Sequence, residues 1–275
     1  MKRLFLIFII LFLSTGCSNN NNFLAVHVID VGQGDCILIT TPSNNNILID
    51  SGDENTYKIV KSYLKLHKIK NLDMIVASHL DKDHIGSLDN VIDNFNVKKV
   101  YTPNQKDDSP SYYNLTKSCE NKNIDISYLK KGDKIKLNDD ININVLGPSY
   151  IQDNNNLNSI VLNLNYMDMD FLFTGDCEAS NETELINSFE LEGVDFLKVA
   201  HHGSSTSSTD NFIKEVRPDI GVISCGYKNQ YGHPHKSTLD ILNKYGVNTF
   251  RTDLNGDLVF YSDGEKIFTN KKYKQ

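Results

Sequence analysis

Four potential metal ligands crowd into six residues at His79-Leu80-Asp81-Lys82-Asp83-His84. Imidazoles and carboxylates at that density are the donor set of a divalent cation. In an extended turn His79, Asp81 and Asp83 point broadly one way and His84 another, so a single loop serves two adjacent cations. The segment follows the apolar run 72–77 directly, and ionisable groups at the end of a buried strand are costly unless something pairs them. That cost argues against a solvated acidic turn with incidental histidines. Gly86 is expected to permit a tight turn, and Ser87 with Asn90 reads as a capped helix start.

Three further clusters have the same form, a short apolar run that opens into donors. Residues 171–176 deliver Asp176 behind Gly175, although taken alone Asp176 reads more readily as the N-cap of a helix over 179–189. Residues 197–205 lead into His201-His202-Gly203-Ser204-Ser205, which offers imidazoles to a cation and hydroxyls to an oxyanion. In Tyr231-Gly232-His233-Pro234-His235-Lys236-Ser237, Pro234 holds His233 extended, while Ser237 with Asp240 looks like a helix cap. His235 then lies near a positive helix end. A surface turn accounts for this last segment equally well.

These clusters need strands to position them. β-Rich apolar runs occur at 24–31, 36–40, 47–50, 72–77, 141–146, 160–164, 171–174 and 196–200. Helix-like segments lie near 57–66, 88–95, 111–119, 179–189, 210–216 and 238–244. The order predicts an α/β fold, a four-layer αββα sandwich of two mixed sheets with outer helices and loops gathered along one edge. At 39% hydrophobic and 23% charged over 275 residues, the composition excludes a fibrous or disordered chain. Residues 23–272 show no internal linker, and 104–110 and 153–158 read as surface loops. Cys36, Cys119, Cys177 and Cys225 lack paired ligand spacing and are expected to be buried thiols.

The N-terminus reads as a secretory signal over 1–16, with a basic start at Lys2-Arg3, an apolar run at 4–13 and Ser14-Thr15-Gly16 before Cys17. Cleavage before Cys17 and its lipidation would leave 17–22 as a polar tether and hang a hydrolase domain, 23–272, from the extracellular face of the membrane. Ser14 departs from this pattern, since bacterial lipoprotein signals usually carry leucine there. Loss of Lys2 and Arg3 takes the formal charge from −7 to −9, so the surface repels polyanions on average. Lys58, Lys61, Lys65 and their neighbours do not make an obvious basic strip.

Taken in order, Ile29-Asp30-Val31-Gly32-Gln33-Gly34-Asp35, Leu48-Ile49-Asp50-Ser51-Gly52, residues 78–86, Thr174-Gly175-Asp176, residues 198–204 and 231–235 resemble the soluble C-terminal domain of the ComEC family of DNA-uptake proteins. The Arg251-Thr252-Asp253 to Gly256 segment fits the same family's ending, and the family has a metallo-β-lactamase fold. The resemblance implies that His79 and Asp81 hold one divalent ion, that Asp83 and His84 hold the other, and that Asp176 bridges them. It favours His202 as a ligand of the second ion, with His201 as a substrate or supporting group. Asp50 would brace the ligand loop, and Asp30 and Asp35 would be structural.

Two departures from the wider superfamily stand out. Asp81 replaces a usual histidine, and the ligand histidine expected before Asp176 is absent, leaving only Asn158 and Ser159. An oxygen-rich, ligand-poor first site shifts preference from zinc toward manganese or magnesium and weakens occupancy there.

The implied chemistry is metal-assisted phosphodiester hydrolysis, with DNA among the possible substrates. Asp83, His201 and His235 would be the catalytic residues. His235 would stabilise charge or protonate the leaving group, supported by Ser204 and Ser205. A cell-wall phosphocholine-type esterase and a non-catalytic metal-binding surface lipoprotein are the alternatives. β-Lactam hydrolysis is not expected, because the resemblance is to another branch.

Overall fold

The computed structural model describes residues 23–137 and 141–271. The expected signal over 1–16, Cys17 and the tether 17–22 lie outside the described residues.

Two mixed sheets dominate. One runs in the order Ile267–Phe268, Leu258–Ser262, Leu24–Val28, Ile37–Thr40, Asn46–Ile49, Met74–Val76, Val100–Thr102, Ile126–Tyr128. The other runs Asn248–Arg251, Ile220–Ile223, Phe196–Lys198, Met169–Phe173, Val161–Tyr166, Ile141–Gly147, Lys134–Lys136. Each sheet is antiparallel in its hairpin half and parallel in the other half.

The four layers follow from strands buried on both faces, whose alternate side chains point to opposite sides. Ile37, Ile39, Ile47, Ile49, Phe171, Phe173 and Phe196 face the opposite sheet. Their alternates Leu38 and Leu48 meet Val60, Leu64, Leu88 and Val91 on outer helices, and Leu172 and Leu197 meet Leu185, Phe212 and Leu242 on the other side. This is the alternation that a pleated strand imposes when both faces are covered. Phe196 and Phe260 close the gap between the sheets edge to face, centroids 5.2 Å apart. The expected αββα sandwich is therefore the one observed.

Several boundaries differ from the sequence reading for local reasons. The run 72–77 is split because Asp73 turns aside, its carboxylate accepting from the Asn46 amide at 2.8 Å and from Lys98 at 2.6 Å. Leu72 pairs instead in a small sheet with Asn96–Val97. The strand expected to reach residue 200 stops at Lys198, where a short 3-10 turn begins. Cys36, Cys119, Cys177 and Cys225 are buried free thiols.

The parallel halves put the strand ends that matter side by side. Asn46–Ile49 and Met74–Val76 in one sheet, and Met169–Phe173, Phe196–Lys198 and Ile220–Ile223 in the other, deliver their carboxyl ends to the same edge. Open α/β sheets bind ligands at such an edge.

Candidate metal centre

Asp50 follows its strand in the left-handed region, φ 59°, a conformation that non-glycine residues adopt only when the surroundings hold them there. Its carboxylate accepts from the Ser78 amide at 2.7 Å, the Ser78 hydroxyl at 2.6 Å and His84 Nδ1 at 2.9 Å. With Nδ1 donating to Asp50, His84 Nε2 presents a lone pair 3.4 Å from Asp176 Oδ1. The His79 ring lies 4.1 Å from that of His84, and its Nε2 is 3.6 Å from Asp81 Oδ2.

His202 is fixed in the same manner from the other sheet. Its Nδ1 donates to the Ser224 carbonyl at 3.0 Å, so Nε2 faces Asp83 Oδ2 at 3.3 Å and Asp176 Oδ2 at 3.4 Å. Behind it, Asp35 Oδ1 stands 3.5 Å from Nδ1 while Asp35 Oδ2 pairs with Lys198 Nζ at 2.7 Å, both side chains at most 2% exposed. Asp35 was expected to be structural. It does brace a loop, its amide donating to the Asp83 carbonyl at 3.3 Å, and it also brings charge to His202. The approach is so close that a Cβ on Gly34 would lie 2.3 Å from the Asp83 carbonyl oxygen.

The neighbouring imidazole is different. His201 and His202 share left-handed backbone at φ 50° and 53°, which turns the two rings apart. His201 is part-exposed, 3.8 Å from Asp176 Oδ2, and its Nδ1 meets Thr206 Oγ1 at 3.1 Å. Ser204 reaches this ring only through Thr206, whose hydroxyl donates to Ser204 Oγ at 3.1 Å.

His79 Nε2, His84 Nε2, His202 Nε2 and Asp176 Oδ1 are buried without a hydrogen-bond partner. A buried imidazole or carboxylate atom left unpaired costs about 1–3 kcal/mol, and four converging on one space is the arrangement a cation satisfies. Donor atoms of His79, His84 and Asp176 lie within 4.8 Å of one another, and so do those of Asp83, His84 and His202. These residues fit two neighbouring divalent ions that would share Asp176, whose Oδ1 faces His84 and Oδ2 faces His202. Asp81, 3.6 Å from His79 and held by Asn155 Nδ2 at 2.6 Å, extends the first group with oxygen.

Charge has the same message. Burial alone lowers the His84 and His202 pKa values, yet Asp176 with Asp50 lifts His84 well above its ordinary value. Asp176 with Asp35 and Asp83 lifts His202 to about 10. Burial would raise Asp176, and the surrounding imidazoles instead hold it well below the usual carboxylate range. The cluster is a concentrated negative charge that holds protons where a cation would otherwise sit.

Other residues fall differently from the sequence reading. Asn158 is fully buried but points away, bonding Gln105 Oε1 and the Gln152 backbone. Its neighbour Ser159 touches the site, accepting from the Asp176 amide at 3.0 Å. Asp176 is not a helix cap, since Glu178 and Asn181 form the capping box of the helix Ala179–Ser188. Residues 82–85 form a helical turn rather than an extended one, so it is helical rotation that separates Asp83 from His84. Gly86 has helical backbone, and what excludes a side chain there is the Glu54 amide and the Lys82 carbonyl, each 2.4 Å from a Cβ. The Ser87 hydroxyl donates to the Ser51 carbonyl at 2.8 Å instead of capping.

The largest difference concerns His235. Both its ring nitrogens are engaged by backbone, Nδ1 accepting from Ser205 N–H at 2.9 Å and Nε2 meeting the Tyr231 carbonyl at 3.2 Å. His233, two residues earlier, faces the centre, its ring 5.7 Å from that of His201 and 6.1 Å from that of His202, with Nδ1 unpartnered. In an extended segment residues 233 and 235 would share a face, so the pattern alone does not separate them. The bend at Pro234 turns the two rings apart, and the positions of His201 and Ser205 show which of them faces the centre.

Residues 29–227 match the family model described as metallo-beta-lactamase superfamily. Over 253 residues the chain is 30% identical to ComE operon protein 3 of Bacillus subtilis (strain 168), covering 86% of this chain and 32% of that protein. Over 247 residues it is 29% identical to Competence protein ComA of Neisseria gonorrhoeae, covering 87% and 32%. It thus spans about a third of the length of these relatives. Among solved structures it is similar to the metallo-beta-lactamase fold protein YhfI from Bacillus subtilis, TM-score 0.58 at 13% identity, covering 87% of this chain and all of that one. It is also similar to Igni18, a metallo hydrolase from Ignicoccus hospitalis, TM-score 0.55 at 14% identity over 86% and 98%. These structural likenesses show the fold, the competence proteins are homologues, and the converging donors supply the metal-binding groups. The chain belongs to the metallo-beta-lactamase superfamily.

Proposed function

We propose that this metal-dependent hydrolase cleaves phosphodiesters, with DNA as the substrate class, at the outer face of the cell membrane to which Cys17 would tether it. The observation that carries the reading is the ring of four buried, unpartnered donor atoms with His233 poised beside it. The likeness to ComE operon protein 3 and Competence protein ComA supports a DNA-related role.

His79, Asp81 and Asp176 would hold one ion, and Asp83, His84, His202 and Asp176 the second. The oxygen-rich first group suits manganese, the imidazole-rich second group zinc or manganese. Bound there, the ions supply a water whose pKa falls from about 15.7 to about 7 and neutralise charge on the phosphoryl oxygens.

The chain's own residues do the rest. Asp50 keeps His84, and the Ser224 carbonyl keeps His202, in the tautomer that offers Nε2, with the Asp35 charge behind the latter. Burial, then His202 and His201, push the His233 pKa down to about 4, so its ring is neutral until an anion arrives. A phosphodiester placed beside it favours the protonated form, and His233 Nδ1 then holds the proton that the leaving oxygen takes. His201, steadied by Thr206 and through it by Ser204, borders the same space.

Hydrolysis of bis-p-nitrophenyl phosphate and of a short DNA duplex, each with added manganese, tests the reading. Turnover should depend on metal and disappear in Asp83→Ala. Metal binding without turnover would leave a metal-binding surface protein in its place, and turnover that survives in Asp83→Ala would remove Asp83 and the second ion from the mechanism.

A further inference from the structure

A cavity of about 410 Å³ opens on the outer face of the eight-stranded sheet. Its floor is Ala25, His27, Thr40 and Tyr261, the residues that alternate with the inward-facing Val26, Val28, Ile39 and Phe260. The helix Tyr57–Leu66 covers Leu38 and Leu48 of that face, and its C-terminal turn supplies one wall of the cavity, through His67, Lys68 and Lys70. Asn46, on another wall, begins the strand whose far end delivers Asp50 to the metal centre, roughly 13 Å along at the rise of a β-strand. The cavity is therefore separate from that centre.

Its lining runs against the composition of the chain. With 35 acidic and 28 basic residues, the protein is acidic overall, yet no carboxylate lines this space. Lys68 and Lys70 are exposed at its rim, and neither has an ion pair among the described residues. His27 is buried and hydrogen-bonded to Tyr63 Oη at 2.9 Å. Burial, then the nearby His67, hold its pKa near 3, so the cationic charge of the cavity at neutral pH is carried by the two lysines.

Rings flank the space and are held in place. Phe23 and Tyr261 both pack on Phe268, centroids 5.3 and 5.8 Å away. On the other wall His67 stacks on Tyr63 at 4.5 Å. Fixed rings lose little entropy when a planar group stacks on them, and lysines at the rim answer an anion. The volume falls within the usual range for small-ligand sites, about 300–1,000 Å³.

We propose that this cavity is a nucleotide-binding site, taking a base against its rings and a phosphate at Lys68 and Lys70. The shared chemistry is a phosphate attached to an aromatic base, which either a free nucleotide or one residue of a nucleic-acid strand can offer.

Calorimetric titration of the full chain in chelator, which removes binding at the metal centre, tests this with dAMP as the probe. Binding should persist in chelator and weaken at least about tenfold in the surface double variant Lys68→Gln/Lys70→Gln, whose unchanged melting temperature would show an intact fold. Deoxyadenosine and inorganic phosphate, each half of the ligand, should bind more weakly than dAMP. Absence of binding, loss of binding on chelation, equal affinity in the double variant, or phosphate binding as well as dAMP would each overturn the proposal. A short deoxyadenosine oligonucleotide that binds more tightly than dAMP, and loses the same factor in the double variant, assigns the site to a strand. No gain over dAMP assigns it to the free nucleotide.

Discussion

His201 and His202 are adjacent, yet one is buried with a bare Nε2 and the other borders solvent. Paired left-handed backbone divides their roles. Because carboxylates lift the His202 pKa to about 10 and His84 upward as well, the metal-free cluster carries imidazole protons at neutral pH. A cation must displace them, so affinity should climb with pH, by about tenfold per unit for each proton released, and the part owed to His202 should level off near 10. In the metal-free protein the sign is opposite: stability from protonated His202 is fully present below pH 6.5 and lost as the pH rises through 10. Manganese titrations at pH 6.5, 7.5 and 8.5 in buffers of different ionisation enthalpy would read both affinity and proton count, and a pH-independent affinity would contradict the picture. His233→Ala should lower kcat by about 10²–10⁴, the usual contribution of a positioned acid, whereas His235→Ala, which loses two backbone hydrogen bonds and the edge contact of its ring with that of His233 at 4.9 Å, should lose less. Equal losses would remove His233 from the mechanism.

At the scale of elements, the loop between Leu24–Val28 and Ile37–Thr40 ties the two sheets together beneath the centre. Asp35 meets Lys198 from the opposite sheet, and the Gly226 amide donates to Gln33 Oε1 at 3.2 Å. Breaking a buried ion pair from one side costs about 3–5 kcal/mol, whereas replacing both partners by apolar groups is often neutral. Lys198→Met should therefore lower the melting temperature sharply, and Asp35→Leu/Lys198→Met should regain most of it. The double variant should still bind metal more weakly at the His202 group, since Nδ1 has lost the carboxylate behind it. A double variant as unstable as the single one would mean that the pair is not what Lys198 serves.

At the scale of the molecule, two sheets of mirrored design meet through an apolar layer in which Phe171, Phe173, Phe196 and Phe260 interlock. The donors from the two halves can converge only while that layer holds the strand ends level. Phe196→Ala should cost about 3–5 kcal/mol and loosen metal binding along with stability, which thermal melts with and without manganese would separate from a local effect. The proposed membrane tether predicts that Cys17→Ser moves the protein out of the membrane fraction, while an unchanged distribution would sink that part of the reading.

Much of this was legible in the sequence because it is local. Short β-rich apolar runs declared the buried strands, a dense donor motif directly after one of them pointed to metal binding, and Asp50, His79, Asp83, His84, Asp176 and His202 lie at the end of such a run or in the turn that follows it. What the chain order could not carry is contact between residues far apart in sequence. Asp35 beside Lys198 joins positions 163 residues apart, His233 rather than His235 faces the centre because Ser205 captures the latter, and Ser159 rather than Asn158 supports Asp176. Those choices depend on how loops bend against the opposite sheet, and only packing fixes that.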